Sequence, residues 1–266
     1  MNNNTSLYKK ISDFLKKEGI EYFNALPFSE CEVINERKLR DFKPESCIAF
    51  LIPYYTGEYP ERNISLYSVS RDYHLFAKEL EERLLDFLKD EPYFFRLFAD
   101  SSPINEKRLA LKANLGVLGE NGLIINEVYK SYVFIGEIIT DAVFDEVEYH
   151  TPSEQKGCIS CGKCKNICPF LRKESDVCFS ALNQKKVLDE DELKVVLSRK
   201  IRWGCDDCQL LCPMNKNPAI TPIPFFHKDI IPVLTKDIIN SMTDEEFSER
   251  AYSWRGKNTI LRNLEK

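Results

Sequence analysis

The 266-residue sequence has no excess of basic residues, no long apolar run and no leader-like start. Its 37 lysines and arginines are outnumbered by 42 aspartates and glutamates, so a net charge of −5 predicts no general basic surface for nucleic acid. Apolar stretches such as Cys47–Pro53 are far shorter than the roughly 20 residues of a membrane-spanning helix. Met1–Thr5 starts no charged-then-apolar segment, so we expect no signal peptide and a location in the reducing cytoplasm.

What the sequence does contain is cysteine, ten in all, eight of them between residues 158 and 212. They form two blocks with one cysteine between: Cys158-x2-Cys161-x2-Cys164-x3-Cys168-Pro169, then Cys178, then Cys205-x2-Cys208-x3-Cys212-Pro213. Two blocks that end in Cys-Pro and supply eight thiolates match the ligands of two 4Fe–4S clusters. The sequence therefore predicts a protein that transfers electrons one at a time at low potential.

The spacing also predicts how the ligands are shared. The fourth cysteine of a C-x2-C-x2-C-x3-C-P run ligates the other cluster, which implies crossed ligation. We expect one cluster on Cys158, Cys161, Cys164 and Cys212, and the other on Cys168, Cys178, Cys205 and Cys208. A zinc site would use paired C-x2-C ligands, and a disulfide framework belongs to small secreted proteins, so both alternatives fit less well. Cys31 and Cys47 are expected to be buried free thiols.

Apolar periodicity predicts strands separated by helices, an α/β or α+β domain, ahead of the cysteine blocks. The predicted strands are Cys47–Ile52, Tyr93–Ala99, Leu123–Asn126 and Tyr132–Thr140. The predicted helices are Ser6 (or Thr5) to Lys17, Ser70–Lys89, Asn105–Lys112, Asp191–Arg199, Lys228–Met242 and Asp244–Ala251. With a polar link at His150–Lys156, the expected units are 1–150, 151–220 and a helical tail, 221–266.

Several segments resemble epoxyqueuosine reductase, the cobalamin- and iron–sulfur-dependent family that completes queuosine in tRNA. They occur in order along nearly the whole chain: Ile48–Tyr54, Tyr67–His74, Asp100–Pro103 with Lys107-Arg108, Gly116–Ile124, Ser131–Glu137, the cysteine blocks with Gly204–Gln209 and Cys212–Asn215, Ser253–Lys257 and Arg262-Asn263. The Asp-Tyr-His and Gly-Cys-Asp-Asp-Cys-Gln motifs make the resemblance specific. A wider kinship would be with reductive dehalogenases. The resemblance implies a nitroreductase-like cobalamin-binding domain followed by a ferredoxin-like domain with two 4Fe–4S clusters.

The resemblance also implies a mechanism, in which clusters reduce cobalamin to the cob(I) form and cobalamin reduces an epoxide. Asp100 matches the family's proton donor, and a carboxyl in an apolar pocket can stay protonated for that role. The alternative from the residues alone is that Asp100 caps the helix at 105–112. His74 is expected to contact its own domain and not to bind metal, and no histidine is expected below cobalt.

Further expectations concern the residues that contact the corrin ring of cobalamin. By the resemblance, Arg37, Ser65, Ile124, Ile135 and Asp206 lie near cobalamin, although Arg37 could equally be a surface arginine. Glu120 stands where the family usually has lysine, which reverses a charge beside the cofactor or substrate.

The chain ends at Lys266, where full-length members continue into HEAT-like repeats that help to hold the tRNA anticodon stem–loop. We therefore expect a short form with weakened tRNA affinity, because phosphate contacts supply most of such binding. An external low-potential donor of the flavodoxin or ferredoxin type is expected. The alternatives are a non-catalytic iron–sulfur carrier or corrinoid-activating protein, and a cobalamin-dependent reductase of a small molecule.

Overall fold

The computed structural model describes residues 6–39, 43–144 and 157–265. Its centre is a four-stranded sheet in the order β1–β2–β6–β3, and a short hairpin, β4–β5, forms a second sheet. The strands are β1 Phe23–Pro27, β2 Ser46–Pro53, β3 Phe95–Ala99, β4 Val117–Leu118, β5 Ile124–Ile125 and β6 Val133–Thr140. Strand β6 is rich in β-branched and aromatic residues, and β2 is buried along its whole length.

Every pair of neighbouring strands in the two sheets is antiparallel. Of the two fold classes that the sequence predicts, the antiparallel sheet selects α+β. The register places Ala99, the last residue of β3, opposite Gly136 of β6. This pairing brings Asp100, just past the strand, close to the middle of β6. Strand β1 is not predicted from the sequence, because it has only five residues and ends in proline.

Ten α-helices lie in the described ranges. They are α1 Leu7–Lys17, α2 Tyr73–Phe87, α3 Glu106–Lys112, α4 Lys163–Ile167, α5 Phe179–Asn183, α6 Glu190–Ser198, α7 Asp207–Leu210, α8 Lys236–Ser241, α9 Asp244–Ser248 and α10 Lys257–Asn263. Within the described ranges, no helix is long and apolar enough to cross a membrane.

Two of the predicted helices are longer than the helices in the structure. Helix α2 starts at Tyr73 instead of Ser70, because the Asp72 side chain caps it by accepting the His74 N–H at 3.0 Å. The helix predicted over Lys228–Met242 exists only as α8, which Thr235 caps. The other predicted elements agree with the structure to within about three residues. The predicted link at His150–Lys156, and Thr5, lie outside the described residues.

The three segments predicted as separate units share apolar cores. Phe225 and Phe226, from the C-terminal segment, pack in the same core as Ile48 and Leu80 of the sheet domain. Trp203, just before the second cysteine block, is fully buried in a core that also contains Ile64 and Tyr252. These shared cores hold the cysteine-rich segment against the chain that leads into helix α2.

Candidate active site

Asp100 stands in a strained turn at the end of β3. Its φ of 65° lies in the left-handed region, and the turn is closed by hydrogen bonds from Ser101 N to Ala99 O and from Ser102 N to Asp100 O, both 2.8 Å. A non-glycine residue in this conformation costs roughly 1–2 kcal/mol, and such residues concentrate at functional sites. The Asp100 side chain is 65% exposed, so the turn presents its carboxylate to solvent. Asn105, and not Asp100, caps helix α3, which removes the alternative of a capping aspartate.

His74, in the first turn of α2, joins Asp100 across the site. Its Nδ1 lies 2.8 Å from Asp72 Oδ1, and its Nε2 lies 3.4 Å from Asp100 Oδ2. The ring also stacks on Tyr73, with centroids 4.1 Å apart. As expected from the sequence, His74 contacts its own domain, but its place beside Asp100 was not predicted. The adjacent Asp72-Tyr73-His74 motif was the available signal.

The pair holds its proton on histidine. Hydrogen bonding to Asp100 and then to Asp72 raises the pKa of His74 from 6.5 to about 9, and the His74 hydrogen bond lowers the pKa of Asp100. Near neutral pH the site is therefore an imidazolium paired with a carboxylate. The prediction that Asp100 stays protonated in an apolar pocket is wrong, because Asp100 is mostly exposed and ion-paired.

A half-buried carboxyl group, Glu106, and a fully buried one, Glu137, lie behind Asp100. Burial, and then the charge of Asp100, raises the pKa of Glu106 to about 8, and burial raises the pKa of fully buried Glu137 well above its usual range. Neither oxygen of Glu137 makes a hydrogen bond in the described parts of the chain, although the Ser102 hydroxyl lies near enough to lower its pKa slightly against the effect of burial. Burial therefore favours the neutral, protonated form of both groups. The Lys38 amino group closes the turn by hydrogen bonding to Ser101 Oγ at 2.7 Å.

Four cysteines from the two sequence blocks line one small cavity, and we call them the first cysteine group: Cys158, Cys161, Cys164 and Cys212. The second cysteine group comprises the other four: Cys168, Cys178, Cys205 and Cys208. In it, burial and then the charges of Cys168 and Cys178 raise the pKa of Cys208 to about 12. Cys205 packs with Val177 and Phe179, the residues on either side of Cys178.

The two groups therefore draw cysteines from both blocks. The ten cysteines are all free thiols, with Cys47 buried and Cys31 half-buried. Among the described residues, no three His, Cys, Asp or Glu side chains lie close enough together to surround a single metal ion. The donor set in each group is four soft sulfurs, the chemistry that iron–sulfur clusters require.

Two residues predicted to contact cobalamin, Ser65 and Asp206, bond to each other. The Ser65 hydroxyl donates a short hydrogen bond to Asp206 Oδ1, and the Leu66 N–H donates to Asp206 Oδ2 at 2.8 Å. Arg62 Nη1 lies 2.7 Å from the same carboxylate, and Ser65 and Asp206 are almost fully buried. These side chains fix the second cysteine block to the sheet domain.

The remaining predicted contacts differ in exposure. Ile124 is buried in β5, Ile135 is half-buried in β6, and Arg37 is exposed. Glu120 forms an ion pair with Lys165 at 3.0 Å, and Lys165 lies between Cys164 and Cys168. The negative charge of Glu120 thus has a positively charged partner on the cysteine-rich segment.

No family model matches the chain. Among curated proteins it is similar to the epoxyqueuosine reductase of Lactococcus garvieae, 29% identical over 94% of this chain and 80% of that protein. It is also similar to the Bacillus subtilis enzyme of the same name, 32% identical over 74% of this chain and 53% of that protein.

Solved structures give the same family name. The epoxyqueuosine reductase of Streptococcus thermophilus matches with a TM-score of 0.75 and 23% identity, over 98% of this chain and 80% of that chain. An epoxyqueuosine reductase in complex with an epoxyqueuosine-modified tRNA stem loop matches with a TM-score of 0.77 and 24% identity, over 97% and 80%. At these identities the structural matches establish the fold.

The pairing of His74 with Asp100 predicts a pH dependence. Because folding raises the His74 pKa from 6.5 to about 9, the contribution of the pair to stability is complete below about pH 6.5 and is lost as the pH rises through about 9. NMR titration of the His74 ring should give a pKa near 9 in the natural protein and a clearly lower value in Asp100→Asn. Asp90→Asn, at an exposed site, should leave the His74 pKa unchanged. An unchanged His74 titration in Asp100→Asn would show that the pair does not form.

Proposed function

We propose that this chain, a relative of the epoxyqueuosine reductases over nearly its whole length, reduces the epoxide of epoxyqueuosine in tRNA to the alkene of queuosine. The sequence matches confirm the resemblance on which the prediction of an oxidoreductase was based. Removing the epoxide oxygen as water takes two electrons and two protons. The observation that carries the proposal is the strained, exposed Asp100 with a protonated His74 beside it.

The electrons would pass through two 4Fe–4S clusters, one on each cysteine group. The support is the grouping of four sulfur donors from both blocks around one cavity and the closeness of Cys168, Cys178 and Cys208. An external low-potential donor of the flavodoxin or ferredoxin type would reduce them. A cytoplasmic setting, with reduced thiols and tRNA at hand, suits this chemistry.

Cobalamin would lie against the exposed surface formed by Asp100 and His74, whose side chains are 65% and 47% exposed. When bound, it would supply a cobalt centre able to deliver two electrons to the epoxide. The histidines in the described ranges already have partners, since His74 bonds to Asp72 and Asp100 and His227 bonds to the Thr221 carbonyl.

The protons come from this chain. The His74–Asp100 pair holds one proton at neutral pH, placed to reach an oxygen that leaves with negative charge. Glu106, with a pKa of about 8, holds another behind the same turn, and burial favours the protonated form of Glu137. A carrier protein would have no use for this arrangement of acids, which favours the enzyme over the alternative of a non-catalytic electron carrier.

The substrate would be the anticodon stem–loop of tRNA, because a relative of the same fold was crystallised with a modified tRNA stem loop. The net charge of −5 means that the contacts to phosphate must be local. Binding should therefore be weak and should weaken further as salt is raised.

Replacing the acid tests the catalytic assignment. Asp100→Asn keeps the shape of the side chain but removes the carboxylate that shares the proton of His74, so turnover of epoxyqueuosine-containing stem–loop RNA should fall about 10²- to 10⁴-fold. Iron content and cobalamin uptake should stay at the natural level. Asp237→Asn, exposed on helix α8, serves as the matched control. Full turnover by Asp100→Asn would remove Asp100 from the mechanism.

Crossed ligation is tested by asking which cysteine variants share a defect. If Cys212 serves the first cluster, Cys212→Ala and Cys158→Ala should alter the same EPR signal of the reduced protein, and Cys178→Ala should alter the other. If each block holds its own cluster, Cys212→Ala will instead behave like Cys205→Ala. Spectra of the four variants, prepared anaerobically and normalised to iron content, distinguish these arrangements.

A further inference from the structure

Asn121 occupies a turn that reaches from the sheet domain towards the cysteines. The turn lies between β4 and β5 and is closed by a hydrogen bond from Gly122 N to Gly119 O at 2.8 Å. The Asn121 side chain folds back over Gly119, where a Cβ atom would come within 2.4 Å of Asn121 Oδ1. The same Oδ1 accepts the Leu123 N–H at 3.3 Å. This bond fixes which end of the amide faces the backbone and leaves Nδ2 pointing away.

The Nδ2 end of Asn121 is buried and has no hydrogen-bond partner in the described residues. It lies beside the Cys208 thiol, although the two groups are not aligned as a hydrogen bond. Asn121 also lines the cavity of the first cysteine group. It therefore stands between the two groups, with an N–H donor that no described residue accepts.

The turn is held in this position from both sides. Glu120, the residue before Asn121, pairs with Lys165 on helix α4 of the cysteine-rich segment at 3.0 Å. Gly116, at the start of the hairpin, approaches the Ile125 carbonyl so closely that a Cβ atom would lie 2.7 Å from it. Asn121 is thus a rigidly placed group and not a mobile loop residue.

We propose that the Asn121 amide donates a hydrogen bond to the Cys208 thiolate of the loaded protein and thereby raises the reduction potential of the cluster on the second cysteine group. This inference rests on the proposed binding of two clusters. Reduction adds negative charge to a cluster, so an N–H donor at a ligating sulfur stabilises the reduced state more than the oxidised state. In this role Asn121, a residue of the sheet domain, is a positioning residue: it acts on the cluster through Cys208. It would thereby influence which of the two clusters is reduced first.

Asn121→Ser is the selective variant, because its hydroxyl can still accept the Leu123 N–H but is too short to reach Cys208. A redox titration of the loaded protein followed by EPR, without cobalamin or RNA, should show the midpoint potential of one cluster shifted to a more negative value. That cluster should be the one whose signal Cys178→Ala alters. Asn121→Asp, which keeps the shape and the turn bond but replaces the donor by a carboxylate, should shift it in the same direction and further.

Asn24→Ser is the matched control, because the Asn24 amide donates to the Ala113 carbonyl at 3.3 Å. It should leave both potentials unchanged. The inference would be overturned if both Asn121 variants, at full iron content, kept the midpoint potentials of the unmutated protein. An equal shift in the midpoint potentials of both clusters would also overturn it. Natural protein that fails to bind about eight iron atoms would instead refute the proposed function, so the two failures are distinguishable.

Discussion

The buried carboxylate of Asp206 is the interaction on which the rest of the site depends. It receives hydrogen bonds from Ser65 Oγ and Leu66 N, and it pairs with Arg62 at 2.7 Å. Burial raises the pKa of this carboxyl, while Arg62 and the two donors lower it. Removing one partner of such a buried pair typically costs about 3–5 kcal/mol, because the remaining charge is left without compensation.

The position of Asp206 gives this contact its consequence. It lies between Cys205 and Cys208, and its partners occupy residues 62–66, a few residues before the Asp72-Tyr73-His74 motif. Gly204 allows the close approach, since its φ is 68° and a Cβ atom there would lie 2.4 Å from Ser65 Cβ. One stretch of chain thus positions both the second cysteine group and the histidine that holds the proton. Under the proposed function, this contact would fix electron delivery and proton delivery relative to each other.

The parts of the site that sequence could predict are those set by short-range pattern. Cysteine spacing predicts the mixed grouping of the two blocks, and an apolar run that stops at Asp100 predicts a strand end there. The parts that it could not predict depend on tertiary contact. His74 and Asp100 are 26 residues apart, and a single glutamate in a sequence, such as Glu106 or Glu137, is normally exposed. Asp206 was expected to face the cofactor, but only the folded chain shows that Arg62 and Ser65 use its carboxylate.

The central claim is that one chain combines two clusters, a corrinoid and a proton-bearing acid pair. The most direct measurement is the composition and visible spectrum of protein loaded and purified anaerobically with added cobalamin. The account predicts about eight iron atoms and one cobalamin per chain, with cluster and corrinoid absorption together. Cluster absorption with no corrinoid retained would contradict the claim and leave an electron carrier.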